Sequence, residues 1–324
     1  MTERHAPRKL DLPPPHQARF EFEVEGTLLV GTLYSPPNGD PTIARAVLTG
    51  PLTSVKEQSA GRYAAALASR GYEALAFDHR TFGESGGEPR QFENPYAKVE
   101  DLRGAATALA DRSGERLPLI GVGICAGGGY MARAVAGDGG FDGFAGVAGV
   151  YGSASPDAER SPFVIRGRAA EAEWRRTGDS ETIPAVGPDG GNVAMPLREA
   201  YEYYGTSRGA VANYVNAYAV QSFAYTGTFD AQSAAPLIEV PTIIIHSQNA
   251  LLPTLADSFI NALTCTRQAI WLRSQGQIDF YDDPRLIDPA ADAIVRFMSR
   301  EVGRDTARLA AASNHGPVLS VGSE

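Results

Sequence analysis

The segment Gly123-Ile124-Cys125-Ala126-Gly127 follows an apolar run and precedes a helical pattern. A glycine stands two residues before and two residues after Cys125. A very sharp strand-to-helix turn demands that spacing, because a Cβ at either place would strike neighbouring backbone. Such an elbow lifts the Cys125 side chain to the top of a sheet and to the N-terminus of a helix, whose dipole favours the thiolate and other anions. The chemistry this predicts is attack by sulfur on a carbonyl, with the Ala126 N–H as one donor to the developing oxyanion. The plainer alternative is a glycine-rich turn around a buried, inert Cys. The other thiol, Cys265, falls in a connection after a helical stretch and reads as ordinary. Two such distant cysteines make no disulfide framework.

The surrounding elements must hold that elbow. FEFEVEGTLLVGTLYSP from Phe20 alternates apolar and polar positions around Glu25-Gly26 and predicts a hairpin. Thereafter short apolar runs alternate with helical patterns. The strands are 44–48, 73–77, 118–122, 143–150, 241–246 and 268–272, and the closing helix runs from Asp288 to Arg300, with Asp288 as N-cap and Pro289 in its first turn. Nearly all-apolar strands alternating with helices predict an α/β fold with a mostly parallel, doubly wound sheet. The rhythm breaks at 151–235, which carries Trp174, the GPDGG at 187–191 and an aromatic helical run over 200–223. This stretch reads as an inserted, mainly helical cap. The organisation expected is a tail over 1–18, a core over 19–150 and 236–302, the cap, and a C-terminal tail over 303–324.

The chain has 324 residues, 43% of them apolar, with a formal charge of −9 and no block of Lys or Arg. That balance argues for a small-molecule substrate and against nucleic acid or membrane as partner, leaving a homodimer open. The longest apolar runs fall short of a membrane span, so a cytoplasmic setting is expected. No two His stand at metal-ligand spacing, and Gly127-Gly128-Gly129 opens a helix without the pattern of a dinucleotide fingerprint. Neither a metal nor another cofactor is expected.

Four segments together resemble the α/β-hydrolase superfamily, in its dienelactone-hydrolase-related group, over residues 20–300. They are Gly50-Pro51-Leu52-Thr53-Ser54-Val55-Lys56-Glu57-Gln58, Phe77-Asp78-His79-Arg80-Thr81-Phe82-Gly83-Glu84-Ser85-Gly86-Gly87, the Cys125 elbow, and Asp279-Phe280-Tyr281-Asp282. The resemblance implies the α/β-hydrolase fold and hydrolysis of esters, lactones or thioesters through a Ser or Cys nucleophile. It also implies a second oxyanion N–H at Leu52, beside Thr53, which is expected to contact substrate.

The same resemblance exposes a degenerate relay. A nucleophile of this kind is served by a His that an Asp orients. Of the five histidines, His5, His16 and His315 lie near the termini, while His79 and His246 read as packing residues. Where the family carries the catalytic His, this chain has Gln277, which accepts no proton at neutral pH. Where it carries the Asp, Asn249 stands in. Asp279 is the nearest replacement base, its alternative role being to hold the loop by backbone hydrogen bonds. Of the cap tyrosines, Tyr201, Tyr204 and Tyr218 are taken as substrate-binding candidates, although residues so spaced also suit a core face.

Three readings follow. The first is a thiol-dependent acyl hydrolase or transferase on Cys125. The second is a non-hydrolytic catalyst of elimination, cyclisation or C–C cleavage that uses the oxyanion donors on an enolate. The third is a catalytically silent binding protein.

Overall fold

The computed structural model describes residues 14–112 and 116–313. β1 (His16–Val24) and β2 (Thr27–Ser35) form an antiparallel hairpin, with Val24 opposite Thr27. Glu25 and Gly26 both take positive φ, 50° and 75°, as a two-residue hairpin turn that matches strand twist requires. Next come β3 (Ala44–Thr49), α1 (Ser59–Ala68), β4 (Tyr72–Asp78), α2 (Pro95–Ala110), β5 (Leu119–Ile124), α3 (Ala126–Val135) and β6 (Gly143–Val147). The inserted stretch holds α4 (Pro162–Thr177), β7 (Thr182–Ile183), α5 (Arg198–Tyr204), β8 (Tyr218–Ala219) and α6 (Ser222–Thr226). The main sheet resumes with β9 (Thr242–His246), α7 (Pro253–Ala262), β10 (Arg267–Trp271), α8 (Asp279–Asp282) and α9 (Pro284–Ser313).

Eight strands form one sheet in the order β1-β2-β4-β3-β5-β6-β9-β10, with β2 antiparallel to β4 and every later pairing parallel. Side chains alternate across it, as the two-residue period of a strand dictates. Ala46, Leu48, Ile243 and Ile245 face α1 and α9, while Val47 and Ile244 face α2, α3 and α7. This is the α/β-hydrolase fold, and its parallel strands present their C-terminal ends to the site, as open α/β sheets do. Among the described residues no helix is long and apolar enough to cross a membrane.

Three expectations need correction. The aromatic stretch over 200–223 is not one helix: α5 ends at Tyr204 with Gly205 as its C-cap, Tyr214 lies in a turn closed onto Val211, and Tyr218 belongs to β8. The closing helix starts at Pro284, so Asp288 and Pro289 lie inside it. Asp288 there pairs with Arg70 instead of capping. That helix also continues to Ser313, beyond the expected start of the C-terminal tail. The outer parts of both tails, 1–13 and 314–324, lie outside the described residues.

Candidate active site

Cys125 sits between β5 and α3 at φ 56°, ψ −124°, a conformation that L residues rarely adopt. The flanking glycines explain how it is held. A Cβ on Gly123 would stand 2.3 Å from the Gly127 carbonyl oxygen, and one on Gly127 would stand 2.5 Å from that of Gly50. The second contact also seats the Gly50–Thr53 loop against the start of α3, which brings the Leu52 and Ala126 segments together. The Cys125 carbonyl accepts from Gly128 N–H at 2.9 Å and Val150 N–H at 2.8 Å, fixing the elbow from both sides.

The thiol is 7% exposed. Burial pushes its pKa up. The Tyr281 hydroxyl, the Ala126 N–H and the Gln277 side chain pull it part of the way back by hydrogen bonding, and the carboxylate of Glu199 opposes them. The pKa of Tyr281 itself stands well above the ordinary value, mainly through burial, so it faces the sulfur as a neutral phenol. Nothing in the sequence singles out Tyr281 within its motif: an aromatic between Phe280 and Asp282 carries no signal that its hydroxyl faces a sulfur.

Gln277 lies where the resemblance puts the base, and its amide orientation is fixed at both ends. Oε1 accepts from Leu251 N–H at 2.9 Å, while Nε2 donates to the Ala148 carbonyl, also at 2.9 Å. Ala148 is itself held at φ 42°, which directs that carbonyl. The Gln277 backbone N–H donates to Glu199 of α5 at 3.1 Å, a tie from core to cap. Gln277 therefore offers Cys125 a hydrogen-bond donor and no proton acceptor. No hydrogen bond joins Asn249 to Gln277; the Asn249 Nδ2 donates instead to the Ser274 carbonyl at 2.7 Å. Asp279 accepts from Gln275 N–H at 2.7 Å and approaches Arg208 at 3.8 Å, and no hydrogen bond or ion pair joins it to Cys125. The structure thus gives Asp279 the loop-holding contacts and no contact that would serve a base.

Beneath the Leu52 loop lies a fully buried carboxylate. Glu93 accepts from Thr53 N–H at 2.9 Å and from the Tyr130 hydroxyl at 3.0 Å, and it pairs with Lys98 at 2.7 Å. Lys98 is 2% exposed and stands 4.4 Å over the Phe82 ring. Tyr130 belongs to α3, so this one carboxylate ties the Thr53 segment to the helix whose first amide is Ala126. The acid-and-base arrangement that does exist is elsewhere. His79 Nε2 lies 2.9 Å from Thr49 Oγ1 and Nδ1 lies 3.2 Å from Asp101, all buried under the exit of β3. His246 has a ring nitrogen near each of two carbonyls, of Ser247 and Gly149, and packs on Trp271. Both are packing histidines.

The cap closes the site from above. Leu52 packs with the cap residues Ile183, Tyr218 and Val220. Tyr204 stacks on Tyr214 with centroids 5.1 Å apart and stands 6.5 Å from the Tyr281 ring. Tyr201 is half-buried against the main core, and Tyr218 turns into the cap, its hydroxyl 3.0 Å from Thr226. Of the candidate tyrosines, Tyr204 is the one near enough to Cys125 for a charge on the sulfur to raise its pKa further. Surface clefts of about 220 Å³ open away from this place, one around Tyr96 and Arg103, another around Ile43 and Met298.

A family model described as serine aminopeptidase, S33, matches residues 56–175, which marks the chain as a hydrolase-like enzyme. The uncharacterized protein YcjY of Escherichia coli (strain K12) is 30% identical over 284 residues, which is 83% of this chain and 93% of YcjY. The crystal structure of hypothetical protein PA2218 from Pseudomonas aeruginosa superposes with a TM-score of 0.73 at 24% identity, over 87% of this chain and 94% of that one. A thiohydrolase of Eupenicillium brefeldianum is 31% identical over a shorter stretch of 110 residues, 34% of this chain and 33% of its own. With its sheet order, its elbow and this kinship, the chain belongs to the α/β-hydrolase superfamily, in the family of Escherichia coli YcjY.

Proposed function

We propose that the protein transfers acyl groups through Cys125, acting on a small ester, lactone or thioester. The observation that carries this reading is the elbow itself: a Cys held at φ 56° with donors from Tyr281, Gln277 and Ala126 turned to its sulfur. A binding-only protein has no use for so strained a turn. In the reaction, Cys125 Sγ forms a bond to the acyl carbon and the carbonyl oxygen takes negative charge opposite the Leu52 and Ala126 N–H groups. The bond to the leaving oxygen or sulfur breaks, and the thiol proton passes to that leaving atom. Water or another acceptor then attacks the thioester, its proton returns to Sγ, and the acid or transferred acyl product departs.

Thioesters suit this site best, because their leaving sulfur departs without the strong proton donor that an alkoxide needs. The name thiohydrolase carried by the Eupenicillium relative agrees with that preference. Intact-mass spectrometry after exposure to simple acyl thioesters tests the reading. A mass gain of one acyl group, lost in Cys125→Ala, is expected; absence of both adduct and turnover across acyl lengths would sink it.

A second reading is favoured by one specific observation, that every group turned to the sulfur donates and none accepts a proton. The same donors could hold an enolate in a non-hydrolytic reaction. Solvent deuterium entering the α-position of a bound ketone, without acylation, would choose it.

A further inference from the structure

Three hydroxyls in the site are buried without a hydrogen-bond partner: Thr53 Oγ1, Tyr204 Oη and Tyr214 Oη. They form one group. Tyr204 and Tyr214 stack at 5.1 Å, Thr53 lies close enough to Tyr214 to ease its hydroxyl, and Tyr204 neighbours both Tyr281 and Cys125. A buried hydroxyl without a partner is costly, and proteins rarely leave even one so. Thr53 and Tyr214 ease one another only in part, and Tyr204 Oη is matched by nothing among the described residues, so a group supplied by the core loop at Thr53 and by two parts of the cap points to an oxygen that comes from outside the chain.

The charges around the group say what kind of oxygen it is. Lys98 is taken by Glu93, and Arg208 by Asp282 at 2.7 Å. Glu199 is nearby as a carboxylate accepting from Gln277 N–H. Both cations, Lys98 and Arg208, are thus already neutralised, so a carboxylate or phosphate would find no free counter-charge in either. Burial raises the pKa of both tyrosines, Tyr214 to about 12, so both present neutral O–H donors at any physiological pH.

We propose that Tyr204, Tyr214 and Thr53 form a subsite for a second, uncharged oxygen on the substrate, so that the substrate class is an acyl chain bearing a hydroxyl or keto group beyond the reacting carbonyl. The assignment rests on the acyl-transfer reading for what happens at Cys125, whereas the subsite itself rests on the hydroxyl cluster alone.

The test separates the two. An unsubstituted methyl ketone, the matching set carrying one hydroxyl at successive chain carbons, and a carboxylate-tailed analogue are titrated into the wild-type protein by calorimetry. One hydroxylated member should bind roughly tenfold more tightly than the parent, as a satisfied buried donor predicts. That ratio should collapse toward one in Tyr204→Phe and in Tyr214→Phe, with Thr53→Val a third check. Equal binding of all hydroxylated members and the parent would overturn the proposal, as would tightest binding of the carboxylate. The corresponding pair of acyl thioesters, followed by intact mass, should label Cys125 faster when hydroxylated. If neither labels while the ketone preference holds, the acyl reading fails and the subsite stands.

Discussion

The Tyr281 phenol on α8 lies close enough to the Cys125 thiol at the mouth of α3 to lower its pKa. That influence favours the thiolate, and so works against the burial that keeps the thiol protonated. In a Cys265→Ser background, Tyr281→Phe should slow alkylation of Cys125 by iodoacetamide roughly fivefold at pH 8, the worth of one hydrogen bond of about 1 kcal/mol. Its pH profile should move to higher pH. Mass spectrometry reads both, and a profile unmoved or shifted downward would mean that the phenol does not serve the sulfur.

Gln277 gives Cys125 a donor where an acceptor would activate it. Gln277→His should therefore bring Cys125 alkylation into the neutral range, raising its rate at pH 7 by roughly tenfold or more, as pairing with an imidazole does for catalytic thiols. Adding Asn249→Asp should carry the change further toward turnover of activated esters. It should also cost roughly 1–2 kcal/mol of stability, because the carboxylate would meet the Ser274 carbonyl that Asn249 now bonds. Denaturant midpoints and ester assays follow the two effects separately.

The pairing of Glu93 with Lys98 predicts a strongly non-additive cycle. Either Glu93→Gln or Lys98→Met leaves the partner buried without its counter-charge, at a cost of about 3–5 kcal/mol. The double variant should fall well short of the sum, by about 2 kcal/mol or more in a urea-unfolding cycle. Additive losses would mean that the two groups do not depend on each other. In the variants that carry Glu93→Gln, acylation of Cys125, if it proceeds as proposed, should slow further than stability alone explains, because Thr53 N–H keeps only a neutral amide acceptor in place of the carboxylate.

His79 and His246 are both held below the ordinary histidine value by burial, partly offset at His79 by Asp101 and at His246 by two carbonyls. A depressed folded-state pKa means that the unfolded chain binds the proton first as pH falls. Their contribution is thus complete above the ordinary value near 6.5 and is lost as pH drops from there toward the folded-state values. The slope is up to about 1.4 kcal/mol per pH unit for each group. Urea midpoints should decline between pH 7.5 and 5.5, and His79→Asn should flatten part of that decline. An invariant midpoint would contradict it.

Much of this arrangement was legible in the sequence, and the limits are physical. Runs such as PTIIIH and the paired glycines around Cys125 report on local geometry, so the sheet and the elbow could be read directly. The cap could not be resolved into its parts, because tyrosines over 201–218 satisfy a helical period although Gly205 and Gly209 break it. Glu93 and Lys98 carry no signal in the sequence, since a buried pair differs from an exposed one only by what packs around it. The reading of Gln277 and Asn249 as replacements for a His and an Asp rests on resemblance alone. That Gln277 would be locked as a donor by Leu251 and Ala148 depended on contacts made across the fold.

The closure over Cys125 has a bearing on oxidative chemistry as well. Peroxide attacks thiolates that solvent can reach, and Cys125 is neither ionised readily nor open to the medium. Cys265, only half-buried and 3.6 Å from the Thr242 hydroxyl, is the more approachable sulfur. Under mild peroxide the chain should oxidise first at Cys265 and keep the elbow thiol reduced, so that the shelter which raises the pKa of Cys125 would also preserve it for the acyl transfer proposed above.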